Sequence, residues 1–224
     1  MPSPFKFAKV SAAMFAFVGA SAVAAGGHFD VDDASVLDVG HCQYEAWLAR
    51  SPARSATLLH VGPACRVGPV ELGATFDRTQ HTREAGTWLG TQLKWVVDPL
   101  IDRFSIGAAW NVAFDVTNRG RPAHTLYVPA TWWAAERLWI HANAGIDWSP
   151  SGERMRRLGA SVEWAATDIV TLIAERVTFS RDRTVRFGMR LSLNDKLAVD
   201  LSAARTGQRG ARVFTIGLNQ DFKR

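Results

Sequence analysis

The chain has 224 residues, 26 basic against 21 acidic for a formal net charge of +5, and 47% of it is hydrophobic. After the N-terminus no stretch nears 18 apolar residues without a charge, so no further spanning helix is expected and the apolar residues must alternate with polar ones. The length suits one domain or one barrel.

At the start, Lys6 and Lys9 precede an apolar run from Val10 to about Val23 and the small residues Ala22-Val23-Ala24-Ala25-Gly26. Basic region, apolar stretch and small-residue cleavage site, in that order, form a secretory signal over residues 1–25, with the mature protein beginning near Gly26 or Gly27. A retained anchor helix is the competing reading, but the run falls short of the roughly 20 residues that a span needs. Residues 26–40 alternate poorly and carry Asp30, Asp32, Asp33 and Asp38. They are expected to form a periplasmic N-terminal arm, in preference to a plug in a lumen or a disordered lead-in.

From residue 41 the periodicity is two, which predicts strands at 41–50, 56–65, 68–77, 87–97, 103–115, 124–134, 137–148, 155–165, 168–179, 185–193, 197–204 and 212–222. Phe104, Ile106, Ala108, Trp110, Val112 and Phe114 share one face, while Ser105, Gly107, Ala109, Asn111, Ala113 and Asp115 share the other. Short connections such as Arg66-Val67 and Ala135-Glu136 alternate with longer ones such as Arg78 to Gly86 and Val116 to Ala123. The expected fold class is all-β: a transmembrane antiparallel up-and-down β-barrel over 41–224, of about 12 strands with 10 as the alternative count. An even count returns both ends of the barrel to the periplasm.

Aromatic residues collect at strand ends. Trp95, Phe104, Trp132, Trp164 and Phe222 fall beside short turns, and Phe114, Trp148, Phe187 and Phe214 lie toward the longer loops, which predicts two membrane girdles. A secreted soluble ligand-binding barrel shares the alternation and is an alternative, but its core would hold its largest rings in mid-strand.

Cys42 and Cys65 flank the turn Ser51-Pro52-Ala53-Arg54, and a register that sets them opposite each other also opposes Tyr44 to Pro63 and Leu48 to Leu59 on one face. A disulfide is expected in the oxidising compartment, and no C-x-x-C spacing points to redox work. Inward faces collect Glu45 together with a lumen network of Glu71, Lys94, Glu163, Glu175, Arg186, Arg190 and Asp200, and the turn Asn194-Asp195-Lys196 sets Arg190 across from Asp200. Mixed charge in a lumen serves a solute path or a packed network that seals the barrel; inward Trp88, Trp133 and Trp139 favour the sealed form.

Of the 26 basic residues 21 are Arg, and the loop side gathers Arg78, Arg83, Arg119, Arg121, Arg154, Arg156, Arg157, Arg181, Arg183, Arg205, Arg209 and Arg212. Guanidinium suits phosphate, so these are expected to contact an outer leaflet rich in lipopolysaccharide. The secretion signal disfavours nucleic acid as a partner. A lipid A or phospholipid-modifying barrel enzyme would need a Ser within reach of a His. Inward His141 and His60 have no Ser at matching spacing, and His81 and His124 fall in loops. No catalytic residue, metal site or cofactor is assigned.

Thr215 to Phe222 places a polar residue, Gly217 and a closing aromatic in a pattern that resembles the terminal signal recognised by the barrel-assembly machinery. Gln220 stands where that pattern has an apolar residue, and Lys223 and Arg224 overrun it. Ala174-Glu175, Phe187-Gly188-Met189-Arg190 and Val199-Asp200-Leu201-Ser202 resemble the final strands of small, mostly uncharacterised Gram-negative outer-membrane β-barrel proteins, over the last quarter of the chain. The resemblance implies the cell outer membrane as location and the assembly machinery as a partner. The expected function is a narrow pore or a structural, lipopolysaccharide-contacting role.

Overall fold

Alternating side chains on a pleated backbone give each segment one apolar and one polar face, and closing such segments into a cylinder leaves no unpaired edge. The computed structural model describes residues 27–224 except Thr82, Arg83, Asn118, Arg181, Gln208, Arg209 and Arg224; the expected signal over 1–25 lies outside them. The described residues form twelve strands: β1 (His41–Ser51), β2 (Ala56–Val67), β3 (Val70–His81), β4 (Glu84–Ile101), β5 (Phe104–Asp115), β6 (Ala123–Ala135), β7 (Leu138–Trp148), β8 (Arg154–Ala165), β9 (Val170–Phe179), β10 (Asp182–Asn194), β11 (Leu197–Thr206) and β12 (Ala211–Lys223). Each pairs antiparallel with its sequence neighbours, and β1 pairs with β12 to close the barrel.

The first hairpin has the expected register, with Cys42 opposite Cys65 and Leu48 opposite Leu59, and the two cysteines form a disulfide. Arg190 lies opposite Asp200 between β10 and β11. The loops differ from expectation. Pairing of β3 with β4 continues to His81 opposite Glu84, so most of the loop read at Arg78 to Gly86 is strand. Likewise β10 begins at Asp182. These strands run on past their apolar stretches, where hydrogen bonding continues but the hydrophobic signal stops. At the other end β4 reaches Ile101, with its register to β5 shifting after Val97 around Pro99, which has no N–H for a ladder.

The barrel is inverted relative to a soluble core. Buried side chains include Lys94, Arg190, Asp200, Glu175 and Glu163, while Leu89, Leu126, Leu158, Ile216 and Leu218 are exposed around the outside. Trp95, Trp132, Trp164 and Phe222 are exposed near the turn end, with Phe104 half-buried beside them; Phe114 and Phe214 are exposed near the loop end, where Trp148 is half-buried. Phe187, read as a girdle residue, pairs with Ala174 and Ala203 well inside β10, because that strand starts earlier than expected.

One expectation is overturned. Of the segment 26–40, read as a periplasmic arm, residues 27–37 run inside the barrel and fill it as a plug, while Asp38 and Val39 are exposed where the chain leaves it. His28, Phe29, Val31, Asp33 and Ala34 are all buried, and they contact wall residues as distant in sequence as Ser202. The reason is hydrogen bonding: inward carboxylates on the wall accept the plug's backbone N–H groups, and an arm outside would leave them without these donors.

Candidate functional site: the plugged lumen

The strand period turns Glu71 of β3, Lys94 of β4, Glu175 of β9, Arg186 and Arg190 of β10, and Asp200 of β11 into the lumen, where all six are buried. They fall into three cross-strand pairs of opposite charge, Glu71 with Lys94, Glu175 with Arg186, and Asp200 with Arg190. In the third the guanidinium grips the carboxylate through both arms, Nε to Oδ1 at 2.7 Å and Nη2 to Oδ2 at 2.8 Å, while Asn219 Nδ2 donates to Oδ2 at 2.7 Å. The other two pairs are shared with the plug.

Lys94 Nζ reaches Asp32 Oδ1 at 2.8 Å and Asp33 Oδ1 at 3.0 Å, and Tyr127 donates to the other Asp32 oxygen at 2.8 Å. Glu71, across from Lys94, accepts the Leu37 N–H at 3.0 Å. Glu175 accepts the N–H groups of Asp30 at 3.2 Å and Val31 at 3.0 Å while keeping Arg186 Nε at 3.3 Å. Arg186 also donates to Asp30 Oδ2 at 3.0 Å and to the His28 carbonyl. Nearer the turn end, Arg66 Nη1 donates to the Leu37 carbonyl at 2.9 Å, and deeper in, Ala34 N–H donates to Thr131 Oγ1 at 2.8 Å. The apolar side of the plug fits wall glycines: a Cβ on Gly159 would lie 2.8 Å from Val31 Cγ2, and one on Gly188 would lie 2.9 Å from Phe29 Cζ.

Glu163 is also buried, 3.8 Å from His141 Nε2. Trp133 and Trp139 pair across β6 and β7. Sequence reasoning found the wall but not its ligand. His28, Asp30, Asp32 and Asp33 carry most of the plug's polar side-chain contacts, and the available signal was four aspartates just ahead of strands with charged inner faces.

A Ser beside a His does occur, where spacing had shown none: Ser202 Oγ lies 2.6 Å from His28 Nε2. It does not form a triad. Asp200 is 3.9 Å from His28 Nδ1 and is already held by Arg190 and Asn219. Burial, and then the charge of Arg186, push the His28 imidazole down to about 3, so it sits neutral in the plug.

On the outside, Arg78, Arg154, Arg156, Arg183, Arg205 and Arg212 are exposed on the outward face at the loop end, and Arg119 and Arg121 are exposed between β5 and β6. Arg157, grouped with them from sequence, points inward instead: its Nε donates to Asp147 at 3.1 Å and its guanidinium lies 4.3 Å from the Phe179 ring centre. Its parity in β8 is opposite to that of Arg156, which decides the matter. Arg83, Arg181 and Arg209 lie outside the described residues.

Residues 13–222 match a family model described as Uncharacterised conserved protein UCP029691. No curated protein matches the sequence. Among solved structures, the KdgM porin, in complex with disordered oligogalacturonate, is similar with a TM-score of 0.66 and 10% identity over 81% of this chain and 99% of that one. The NanC porin is similar at 0.62 and 11% identity over 79% and 98%. The COG4313 outer membrane channel from Pseudomonas putida F1 reaches 0.61 and 12% identity over 87% and 100%. At these identities the likeness is one of fold.

Proposed function

Because the chain belongs to the family described as Uncharacterised conserved protein UCP029691, we propose its function from the barrel itself: a narrow pore of the cell outer membrane, held closed by its own N-terminal segment. One observation carries the proposal. Both wall pairs engaged by the plug, Glu71 with Lys94 and Glu175 with Arg186, already face each other across neighbouring strands. When the plug leaves, each of the four buried charges keeps an opposite charge within side-chain reach, although Glu71 and Glu175 give up the plug's N–H donors. A segment meant only as permanent filling would need no such alternative partners.

The fold shared with porins and an outer-membrane channel supports this reading, as does the apolar outer surface around a polar lumen. In the same proposal the exposed arginines at the loop end meet lipopolysaccharide phosphates, and the closing strand is read by the barrel-assembly machinery. The test is conductance in planar bilayers. The intact protein is expected to stay closed at low voltage, and a variant lacking residues 28–37 to conduct in steps; no step above background from that variant at high salt removes the pore.

A further inference from the structure

Gly27 is the first described residue of the plug, and its backbone nitrogen donates to Glu45 Oε2 at 2.7 Å. Its φ is +80°, and a Cβ there would sit 2.8 Å from Asn219 Oδ1 and 3.0 Å from Asp200 Oδ2, so both backbone and space call for glycine. The seat is acidic. Glu45 Oε1 faces His60 Nε2 at 3.1 Å, and Asp77 Oδ1 faces His60 Nδ1 at 2.7 Å. One imidazole between two carboxylates supplies at most one positive charge, and among the described residues His60 is the only ion-pair partner of either acid. Asp200 next to them is already matched by Arg190. Among the described residues the cluster is short of one cation beside Gly27.

Immediately before Gly27 the sequence runs Ala22-Val23-Ala24-Ala25-Gly26, small residues after an apolar stretch, as a leader-removal site requires. We propose that the leader is removed between Gly26 and Gly27, and that the new α-ammonium of Gly27 docks on the Glu45 carboxylate inside the lumen. The cut is a hydrolysis: water adds across the peptide bond, the leader keeps the carboxylate, and the plug gains the ammonium. An amide N–H brings a hydrogen bond to Glu45, whereas an ammonium brings a hydrogen bond and the missing charge. Maturation thereby makes the latch that holds the plug, and it does so whether or not the lumen conducts.

The mature chain contains four amines: the terminus, Lys94, Lys196 and Lys223. Lys196 and Lys223 are exposed at the turn end and serve as internal controls. A free α-amine, with its ordinary pKa near 8, is the fastest of the four to acylate at neutral pH, and pairing with a carboxylate keeps it protonated and slow. Protein extracted from outer membranes is treated with limiting acetic anhydride at pH 7, folded and in denaturant, and read by intact and fragment mass. The expected result is a terminus at Gly27 that acylates at least tenfold more slowly folded than unfolded, with Lys196 and Lys223 little changed. In Glu45→Gln, which keeps an acceptor and removes the charge, the terminus is expected to acylate several-fold faster than in the wild type. A terminus elsewhere, equal rates folded and unfolded, or no change in Glu45→Gln overturns the proposal.

Discussion

Val31 and Gly159 meet so closely that the wall has no room for a side chain where they touch, since a Cβ on Gly159 would lie 2.8 Å from Val31 Cγ2. The other neighbours of that position are ordinary contacts, Val177 Cγ2 at 3.4 Å and the Arg176 carbonyl at 3.8 Å. Gly159→Leu is therefore expected to expel the plug with the barrel intact, giving steps in planar bilayers like those of the deletion. Wild-type closure with a folded barrel would count against the contact. His28 gives the plug a pH dependence. Buried beside Arg186 and Phe29, and near Asp200 and Arg190, it is held down to about 3 from an ordinary value of 6.5. A group whose docked pKa is lowered favours docking fully above its free value, and that contribution is lost as pH falls from about 6.5 toward 3. His28→Gln does not titrate, so its plug should be more strongly retained than the wild-type plug at pH 5 relative to pH 7.5, as read by amide hydrogen exchange of residues 29–37. An identical pH response in the two proteins would remove His28 as the cause. Asp200→Ala takes from buried Arg190 its two-armed carboxylate and from Asn219 an acceptor, and should destabilise the barrel by about 3–5 kcal/mol. Urea unfolding in detergent measures it.

At the scale of elements, β1 is joined to β12 by backbone pairing, by His41 Nδ1 against Asp221 Oδ1 at 3.0 Å and by the Ser51 hydroxyl donating to the Arg212 carbonyl at 2.9 Å, whereas it is joined to β2 by pairing and a covalent disulfide. The disulfide sits beside the point where the plug turns into β1 and fixes the hairpin there. Replacing both cysteines by Ser is expected to cost about 2–4 kcal/mol, visible as a lower temperature for the heat shift on gels, because the unfolded chain regains the freedom of a 23-residue separation. The registers of these hairpins were legible in the sequence: the turn after β1 and the turn after β10 are short, and a short turn sets which residues face each other. Cys42 with Cys65 and Arg190 with Asp200 followed from that alone. Loop lengths were legible less well. Between β3 and β4 and before β10 the ladder continues through polar residues such as Arg78, Gln80 and Arg183, whose side chains need no apolar neighbour once they clear the hydrophobic band.

The whole molecule presents apolar side chains outward and charged ones inward, and with residues such as Leu158, Phe187 and Ile216 more than half exposed, water is the wrong solvent for its outer surface. Membrane fractionation should return it with the outer membrane, soluble only in detergent and shifted by heat on gels; recovery from periplasm without detergent would exclude this. Local rules in the sequence were enough for that much. Period two decided which side chains share a face, short turns decided register, and an even strand count with matched ends decided closure. What sequence could not decide was the course of residues 27–40. Their partners, Glu45, Glu71, Lys94, Tyr127, Glu175 and Ser202, come from six different strands, and no spacing rule links Asp30 to a residue 145 positions away. Only closure of the barrel gathers those groups around one axis, and their unmet hydrogen bonds then draw in the one neighbouring segment with acids and free N–H groups to offer. The sequence by itself determined a membrane-type barrel with a charged interior; the tertiary structure decided that the interior is occupied, because burial of those charges is satisfied collectively and not along the chain.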